Sequence, residues 1–143
     1  MEPNEKKRIL IICTGNSCRS QMAEGFAHQA GWESFSSGTK PESEVNPFAV
    51  KVMAEIDIDI SHHTPKSVNG YLSDDFYLVA TVCDNASETC PVFTGNYEHK
   101  IHNSFKDPAN AKGNDREITE VYCLIRDEIQ IWMNVISEKY LNT

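Results

Sequence analysis

The sequence predicts an α/β protein: a three-layer α/β/α arrangement around a four-stranded parallel sheet. Three observations predict it. Short apolar runs alternate with amphipathic stretches, the pattern of successive βαβ units. The run Arg8-Ile-Leu-Ile-Ile-Cys13 is apolar without alternation, as in a central strand buried on both faces. Between Asp115 and Tyr140, residues Ile118, Val121, Tyr122, Ile125, Ile129, Trp132, Met133 and Ile136 recur at three-and-four spacing, which predicts a long amphipathic helix.

Each element has its own signal. Arg8–Cys13 is the first strand. Gln21–Ala30 reads as a helix with Met22, Ala23, Phe26, Ala27 and Ala30 on one face, ended by Gly31. Trp32–Ser36 is a short strand. Asn46-Pro47 pairs an N-cap with proline at the first helical position, opening a helix that turns Val50, Met53 and Ala54 inward. Phe76–Val82 is a second buried strand, preceded by Asp74-Asp75 and leading to Cys83. His99–Asn103 is a weaker edge strand. No repeat, low-complexity tract or linker divides the chain, so residues 1–143 are expected to form one domain.

Composition narrows the function. A chain of 143 residues buries about 68% of its unfolded surface, enough for a core. The net charge of −8 and the lack of any basic stripe argue against nucleic acid or an anionic membrane as a partner. The apolar run Ile9–Ile12 is too short for a signal-peptide core or a membrane span, so a cytoplasmic protein is expected. Nothing demands more than a monomer. Five cysteines, an odd number, do not make a structural disulfide framework in a reducing compartment; they invite catalytic, redox or metal roles.

The segment Cys13-Thr-Gly-Asn-Ser-Cys-Arg-Ser20 joins the first strand to the first helix. Its bare Cys-x5-Arg spacing is weak evidence, and a buried strand-end cysteine beside an ordinary turn would share it. The context sharpens it: a buried strand precedes, Gly15 and Asn16 are turn formers, and a helix follows. Backbone N–H groups of such a loop converge on one point, and the helix dipole adds positive potential there. Thr14, Gly15, Asn16, Ser17, Cys18, Arg19 and Ser20 are therefore candidate oxyanion binders, with the Arg19 guanidinium able to pair two oxygens in a fork. The same field favours a Cys13 thiolate, as a nucleophile requires. Ser17 or Ser20 could donate to its sulfur.

This loop resembles the phosphate-binding loop of the low-molecular-weight tyrosine phosphatase fold. The continuation Gln21-Met22-Ala23-Glu24-Gly25 resembles in particular the arsenate reductases built on that fold. The likeness runs through Val45-Asn46-Pro47, Asp57–Ser61, His63-Thr64 and Asp107-Pro108 to Arg126–Ile129, nearly the whole chain. It implies a low-molecular-weight phosphatase-like sheet and a thiol-dependent oxyanion chemistry, with no cofactor.

Cys83 and Cys90 follow the second buried strand, seven residues apart. In a parallel sheet, neighbouring strands end on the same side, so Cys83 can lie close to the Cys13 loop. If the intervening segment is helical, the two stand ~10.5 Å apart along the axis. A disulfide tolerates Cα atoms only up to ~7 Å apart, so the segment would have to unwind for them to bond. The chain has no Cys-x2-Cys and no matching histidine pair, so zinc is not suggested. The segment is similar to the redox helix of the thioredoxin-linked arsenate reductases. That resemblance implies a three-cysteine relay: Cys13 attacks arsenate, Cys83 then attacks Cys13, and Cys90 closes a Cys83–Cys90 disulfide. A thioredoxin or glutaredoxin-like reductant would restore the dithiol.

Asp107 precedes Pro108, which pushes it toward an extended backbone. Asp-Pro alone is a turn signal; the resemblance makes Asp107 the general acid for a departing hydroxyl. Phosphatases of this fold usually place an aromatic residue next, and Ala109 here favours a small inorganic substrate. A tyrosine phosphatase would use Cys13, Arg19 and Asp107 but not Cys83 or Cys90. A non-enzymatic, oxyanion-binding redox sensor would not need Asp107. Cys18 and Cys123 read as incidental thiols, Cys123 on the core side of its helix. His62-His63 reads as a solvated helix start. Asn16, Glu24 and Ser36 match positions that hold potassium in relatives, but Lys66 stands at an acidic ligand position, so no metal is expected.

Overall fold

The computed structural model describes residues 6–84 and 92–142. Four strands, β1 (Arg8–Cys13), β2 (Glu33–Gly38), β3 (Asp75–Thr81) and β4 (Asn96–His102), form one parallel sheet in the order β2-β1-β3-β4. Register is fixed by Leu10 opposite Phe35, Ile9 opposite Leu78 and Ala80 opposite Ile101. The unbroken apolar run places β1 at the centre, where Ile9, Leu10, Ile11 and Ile12 are fully buried. Three α-helices follow the pattern read from the sequence: α1 (Arg19–Ala30), α2 (Pro47–Ala54) and α3 (Asp115–Leu141).

The two layers against the sheet are unequal. Ile9, Ile11 and Leu78 face a core built with Met22 of α1, Met53 of α2 and Ile129 of α3. On the opposite face, Leu10, Ile12 and Val79 pack with Phe76 and Phe93, and with Val68 and Tyr71 of a 3-10 turn. Among the described residues, then, all three α-helices contribute to one core cluster and the other face is covered by a single 3-10 turn and its neighbours.

Local signals explain the ends of the elements. The Asn46 side chain accepts from the Phe48 N–H at 2.9 Å, with Pro47 behind it. Asn114 and Glu117 form a reciprocal capping box at the start of α3. Gly31 closes α1 with φ +111°. Where expectation and structure differ, long-range packing decides. Helix α1 begins at Arg19, two residues early, because its N-cap Cys18 makes no side-chain cap bond that a sequence could advertise. Trp32 falls just before β2, its indole donating to Ser137 Oγ at 2.9 Å. Ala30 and Ala54 are exposed. The buried face of α2 is Ala49, Val52 and Met53, selected by its packing on α3, where Phe48 stacks on Tyr122 at 5.4 Å. Val121, expected inward on α3, is 37% exposed. Strand β4 starts three residues before the expected His99, since its outer positions face solvent and carry no apolar pattern.

The connection from β1 through α1 leads to β2 on one side of β1, while β3 lies on the other. Strand order therefore reverses at β1, and a crevice opens at its C-terminal end, at Cys13.

Candidate active site

The loop after β1 is held from outside by a strap. The N–H groups of Lys40, Glu42 and Asn46 donate to the carbonyls of Thr14, Gly15 and Ser17 at 2.9, 2.9 and 3.0 Å. In a planar trans peptide the N–H points opposite to the C=O. With these carbonyls turned out to the strap, the N–H groups of Gly15, Asn16 and Cys18 turn inward. The Asn16 N–H is 3.2 Å from Cys13 Sγ, in agreement with that sense. The strap can lie this close because residue 38 is glycine: a Cβ there would sit 2.4 Å from the Thr14 carbonyl oxygen.

Asn16 carries φ +52°, a conformation asparagine tolerates better than most residues. Its side chain is bound on every side. Nδ2 donates to Ser20 Oγ at 2.7 Å and Ser36 Oγ at 2.9 Å. Oδ1 accepts from the Lys66 N–H at 2.8 Å and Gln21 Nε2 at 3.2 Å. Ser20 Oγ, accepting from Asn16, lies 2.8 Å from Cys13 Sγ and can direct its own proton at the sulfur. Two donors thus converge on Cys13, which is 2% exposed.

Arg19 opens α1 and is buried. Its Nη1 donates to the Phe105 carbonyl at 3.1 Å, and its Nη2 lies 3.5 Å from Asp107 Oδ2. The other Asp107 oxygen accepts from the Ala109 N–H at 3.0 Å, capping the 3-10 turn Pro108–Asn110. The Asp-Pro turn signal is real, and it aims the carboxylate at Arg19. A cavity of about 320 Å³ is lined by residues 13–19 together with Lys40, Glu42, Asp107, Ala109 and Asn110. Cys13, Thr14, Gly15, Asn16, Ser17, Cys18, Arg19 and Asp107 are therefore brought together, and Ser20 supports them from behind.

The other cysteines divide. Cys18 is buried, its sulfur 3.4 Å from Tyr122 Oη and 3.6 Å from Ser17 Oγ. Burial pushes its thiol up to about 11, against the lowering by those two hydroxyls. Cys123 is partly exposed, 3.5 Å from Glu55 Oε1, and burial raises its thiol as well. Cys83 is fully buried and disulfide-bonded, whereas Cys13, Cys18 and Cys123 are free thiols. Cys90 lies outside the described residues.

Three supporting groups escaped the sequence reading: Gly38, the strap residues Lys40 and Glu42, and Gln21. A glycine after Ser36-Ser37 was the available hint for the first. No helix starts at His62-His63, contrary to expectation. His62 is exposed, but His63 turns in, with Nδ1 3.0 Å from Gln21 Oε1 and 3.6 Å from Glu24 Oε2. Gln21 in turn donates to the Asn16 carbonyl at 3.1 Å.

The potassium ion that the resemblance suggests at Asn16, Glu24 and Ser36 does not fit this chain. Asn16 Oδ1 already accepts twice, and Ser36 Oγ donates to Glu24 Oε1 at 2.6 Å. Burial raises the Glu24 carboxyl, and the positive charge of Lys66 acts on it in the opposite sense. At the position of a further acidic ligand there is an ammonium, bonded to Thr64 Oγ1 at 3.1 Å. Among the described residues, no three His, Cys, Asp or Glu side chains are grouped to hold a metal ion, and no helix is long and apolar enough to cross a membrane.

Comparison with known proteins agrees with this geometry. Residues 8–141 match the family of low molecular weight phosphotyrosine protein phosphatases. A protein named arsenate reductase from Halalkalibacterium halodurans is 45% identical over 127 residues, covering 87% of this chain and 90% of that one. One from Bacillus subtilis strain 168 is 41% identical over 128 residues, covering 87% and 91%. A solved structure described as an arsenate reductase in the phosphate binding state superposes with a TM-score of 0.78 at 30% identity, covering 94% of this chain and 98% of the other.

Proposed function

The chain belongs to the low molecular weight phosphotyrosine protein phosphatase family, and from that premise we propose that it is an arsenate reductase that works through Cys13, Cys83 and Cys90. The observation that carries this reading is the pairing of a free Cys13 in an oxyanion cradle with a disulfide-bonded Cys83 at the end of the adjacent strand. A phosphatase needs the first of these and has no use for the second.

In the proposed cycle, arsenate enters the cavity and its oxygens take hydrogen bonds from the inward N–H groups and from Arg19. The Cys13 thiolate, held by Asn16 N–H and Ser20, attacks arsenic. Asp107 gives its proton to the departing hydroxyl, which leaves as water. Cys83 then attacks the Cys13 sulfur; the As–S electron pair stays on arsenic, and arsenite departs as a Cys13–Cys83 disulfide forms. Cys90 attacks Cys83 and frees Cys13. The two electrons that reduce arsenic(V) to arsenic(III) come from two thiols, and one disulfide records them. A thioredoxin-like dithiol reduces that disulfide. The chain acts as one cytoplasmic domain, monomeric, without cofactor. Ala109 on the cavity wall, where a tyrosine ring would find no aromatic partner, favours a small oxyanion.

The test is a single turnover. Fully reduced protein is mixed with arsenate without external reductant, arsenite is assayed and disulfides are mapped by mass spectrometry. One arsenite per chain with a Cys83–Cys90 bridge is expected. No arsenite, together with fast hydrolysis of an aryl phosphate, would overturn the reading in favour of a phosphatase.

A further inference from the structure

The sheet face that carries Leu10, Ile12 and Val79 ends in a polar group. Leu78 and Val82 pack in the core under the α-helices and Val79 in the opposite one, so the side chains of β3 alternate and Thr81 falls on the Val79 face. Thr81 is the buried polar residue of β3, 3% exposed, in register with Ile12 of β1 and His102 of β4. Its Oγ1 lies 2.6 Å from His102 Nδ1, and His102 Nε2 lies 3.0 Å from Ser104 Oγ. The Asn103 N–H donates to the Thr81 carbonyl, and the Val82 N–H to the Ile12 carbonyl, each at 3.0 Å. The pleat thus runs on past Thr81. The following side chain on its face is that of Cys83, ~7 Å along the strand, close enough for a hydroxyl and a sulfur that turn toward each other. Cys83 is fully buried.

These contacts can be given a direction. A neutral imidazole carries one N–H, and a hydroxyl has one proton to give. Ser104, at the exposed end, can give its proton to Nε2, which leaves the N–H on Nδ1 aimed at Thr81 Oγ1. Thr81 then accepts, and its own proton is turned away from His102. The same construction stands behind Cys13, where Asn16 Nδ2 donates to Ser20 Oγ and Ser20 faces the sulfur.

We propose that Thr81 is the hydrogen-bond donor to the Cys83 thiolate in the second step of the cycle, and that His102 is the positioning residue that orients it; the inference rests on the relay described above. In that step Cys83 gives its proton to solvent and its thiolate attacks Cys13 Sγ. An S–S bond forms and the As–S bond breaks with its electron pair left on arsenic, so arsenic is reduced as the two sulfurs are oxidised. Thr81 keeps its proton throughout. Its hydrogen bond supports an anion at a buried strand end, where burial alone would disfavour the charge.

The experiment separates the two steps. Reduced protein is mixed with arsenate without external reductant, and arsenite release, which waits on Cys83, is timed by rapid quench for the parent chain, Thr81→Val, Thr81→Ser and His102→Phe. Alkylation of Cys13 by iodoacetamide, read by peptide mapping, and its protection by inorganic phosphate report the cradle separately. Thr81→Val keeps the shape and removes the hydroxyl; it is expected to slow arsenite release about tenfold, with Cys13 alkylation and phosphate protection unchanged. Thr81→Ser should restore release to within about a factor of two. His102→Phe should slow release about three- to tenfold, and the double variant should be no slower than Thr81→Val, because His102 acts through that hydroxyl. Release at the parent rate in Thr81→Val overturns the proposal and leaves the relay standing. Additive losses in the double variant overturn the positioning role of His102. Losses that extend to Cys13 alkylation overturn both roles, since the substitutions then act on the fold. A parent chain that releases no arsenite removes the relay, and the proposal with it.

Discussion

The N–H of Val82 donates to the carbonyl of Ile12 at 3.0 Å, so β1 and β3 are still bonded to each other one residue before Cys13 and one before Cys83. The two sulfur-bearing positions therefore leave the sheet side by side, from strands whose relative register is fixed. The proposed relay needs that arrangement of nucleophile and first resolving thiol, because a disulfide forms only when Cα atoms come within ~7 Å. Cys90→Ser should trap the cycle at this point: one arsenite per chain, no further turnover with thioredoxin, and a Cys13–Cys83 bridge in the peptide map. Multiple turnover by the variant would remove Cys90 from the relay.

Arg19→Lys should lose more than charge. The guanidinium reaches the Phe105 carbonyl and Asp107 at once, and its planar fork matches the geometry of two oxyanion oxygens. A lysine ammonium reproduces neither geometry. A fall in kcat/KM of about 10²–10³ is expected, equivalent to ~3–4 kcal/mol of transition-state stabilisation. Asp107→Asn should lower kcat by about 10²–10⁴ while the arsenate KM changes little. Steady-state kinetics with dithiothreitol as reductant measures both without involving the partner protein.

Gly38→Ala tests the strap. The added Cβ would meet the Thr14 carbonyl oxygen at 2.4 Å, and that oxygen belongs to backbone already bonded to Lys40. It has nowhere to retreat without turning the Gly15 N–H out of the cradle. The variant should be about 2–3 kcal/mol less stable by denaturant titration, and its kcat/KM should fall with it. Wild-type stability and activity in Gly38→Ala would show that the strap does not set the loop.

Much of this arrangement was legible in the sequence, and the reasons for the remainder are physical. The central strand announces itself because burial on both faces forces a continuous apolar run, and the Cys13–Arg19 loop because all its parts are adjacent in the chain. Strand β4 was only half visible, since an edge strand with exposed side chains has no pattern to show. The Lys66 N–H reaches Asn16 from fifty residues away, and His63 reaches Gln21, itself bonded to Asn16, from forty-two. No local propensity encodes a contact of that kind.

His63 gives a pH dependence with a definite sign. Burial lowers its affinity for a proton, aided by the charges of His62, His28 and Lys66 and opposed by Asp59. The unfolded chain takes up the proton near 6.5, while the folded chain resists. Stability from this group is therefore present above pH 6.5 and lost as the pH falls toward the lower folded value. His63→Gln cannot take up that proton, so its Tm should decline less than the parent's between pH 7.5 and pH 5. Parallel Tm curves would exclude His63 as the titrating group.

Cys18 should behave as a protected thiol. Its pKa of about 11 leaves roughly 0.1% thiolate at pH 8, and its sulfur faces Tyr122 inside the core. Iodoacetamide at pH 8 is expected to alkylate the reduced protein at Cys13 and to leave Cys18 unmodified until the chain unfolds. Cys18→Ala should keep arsenate turnover within a factor of two and cost about 1–2 kcal/mol in stability, from the lost contact with Tyr122 and the space left behind. Rapid labelling of Cys18 in the folded state would contradict the burial that raises its pKa.

Lys40 offers a way for a chain of net charge −8 to admit an anion in the proposed reaction. The cavity wall holds two cations, Arg19 and Lys40, and two carboxylates, Asp107 and Glu42. Arg19 is already shared with Asp107 at 3.5 Å, so Lys40 is the cation on this wall with no carboxylate paired to it by a salt bridge among the described residues. One exposed charge on the wall is worth about 1 kcal/mol to a singly charged oxyanion and up to about twice that to a dianion. Lys40→Gln should therefore raise the arsenate KM about 5–10-fold with kcat held, and Glu42→Gln should lower it. The effect must shrink in high salt, because Lys40 is exposed and the Debye length falls to ~3 Å at 1 M. If the KM of Lys40→Gln matches the parent at 0.05 M salt, substrate capture rests on the backbone cradle and Arg19 alone.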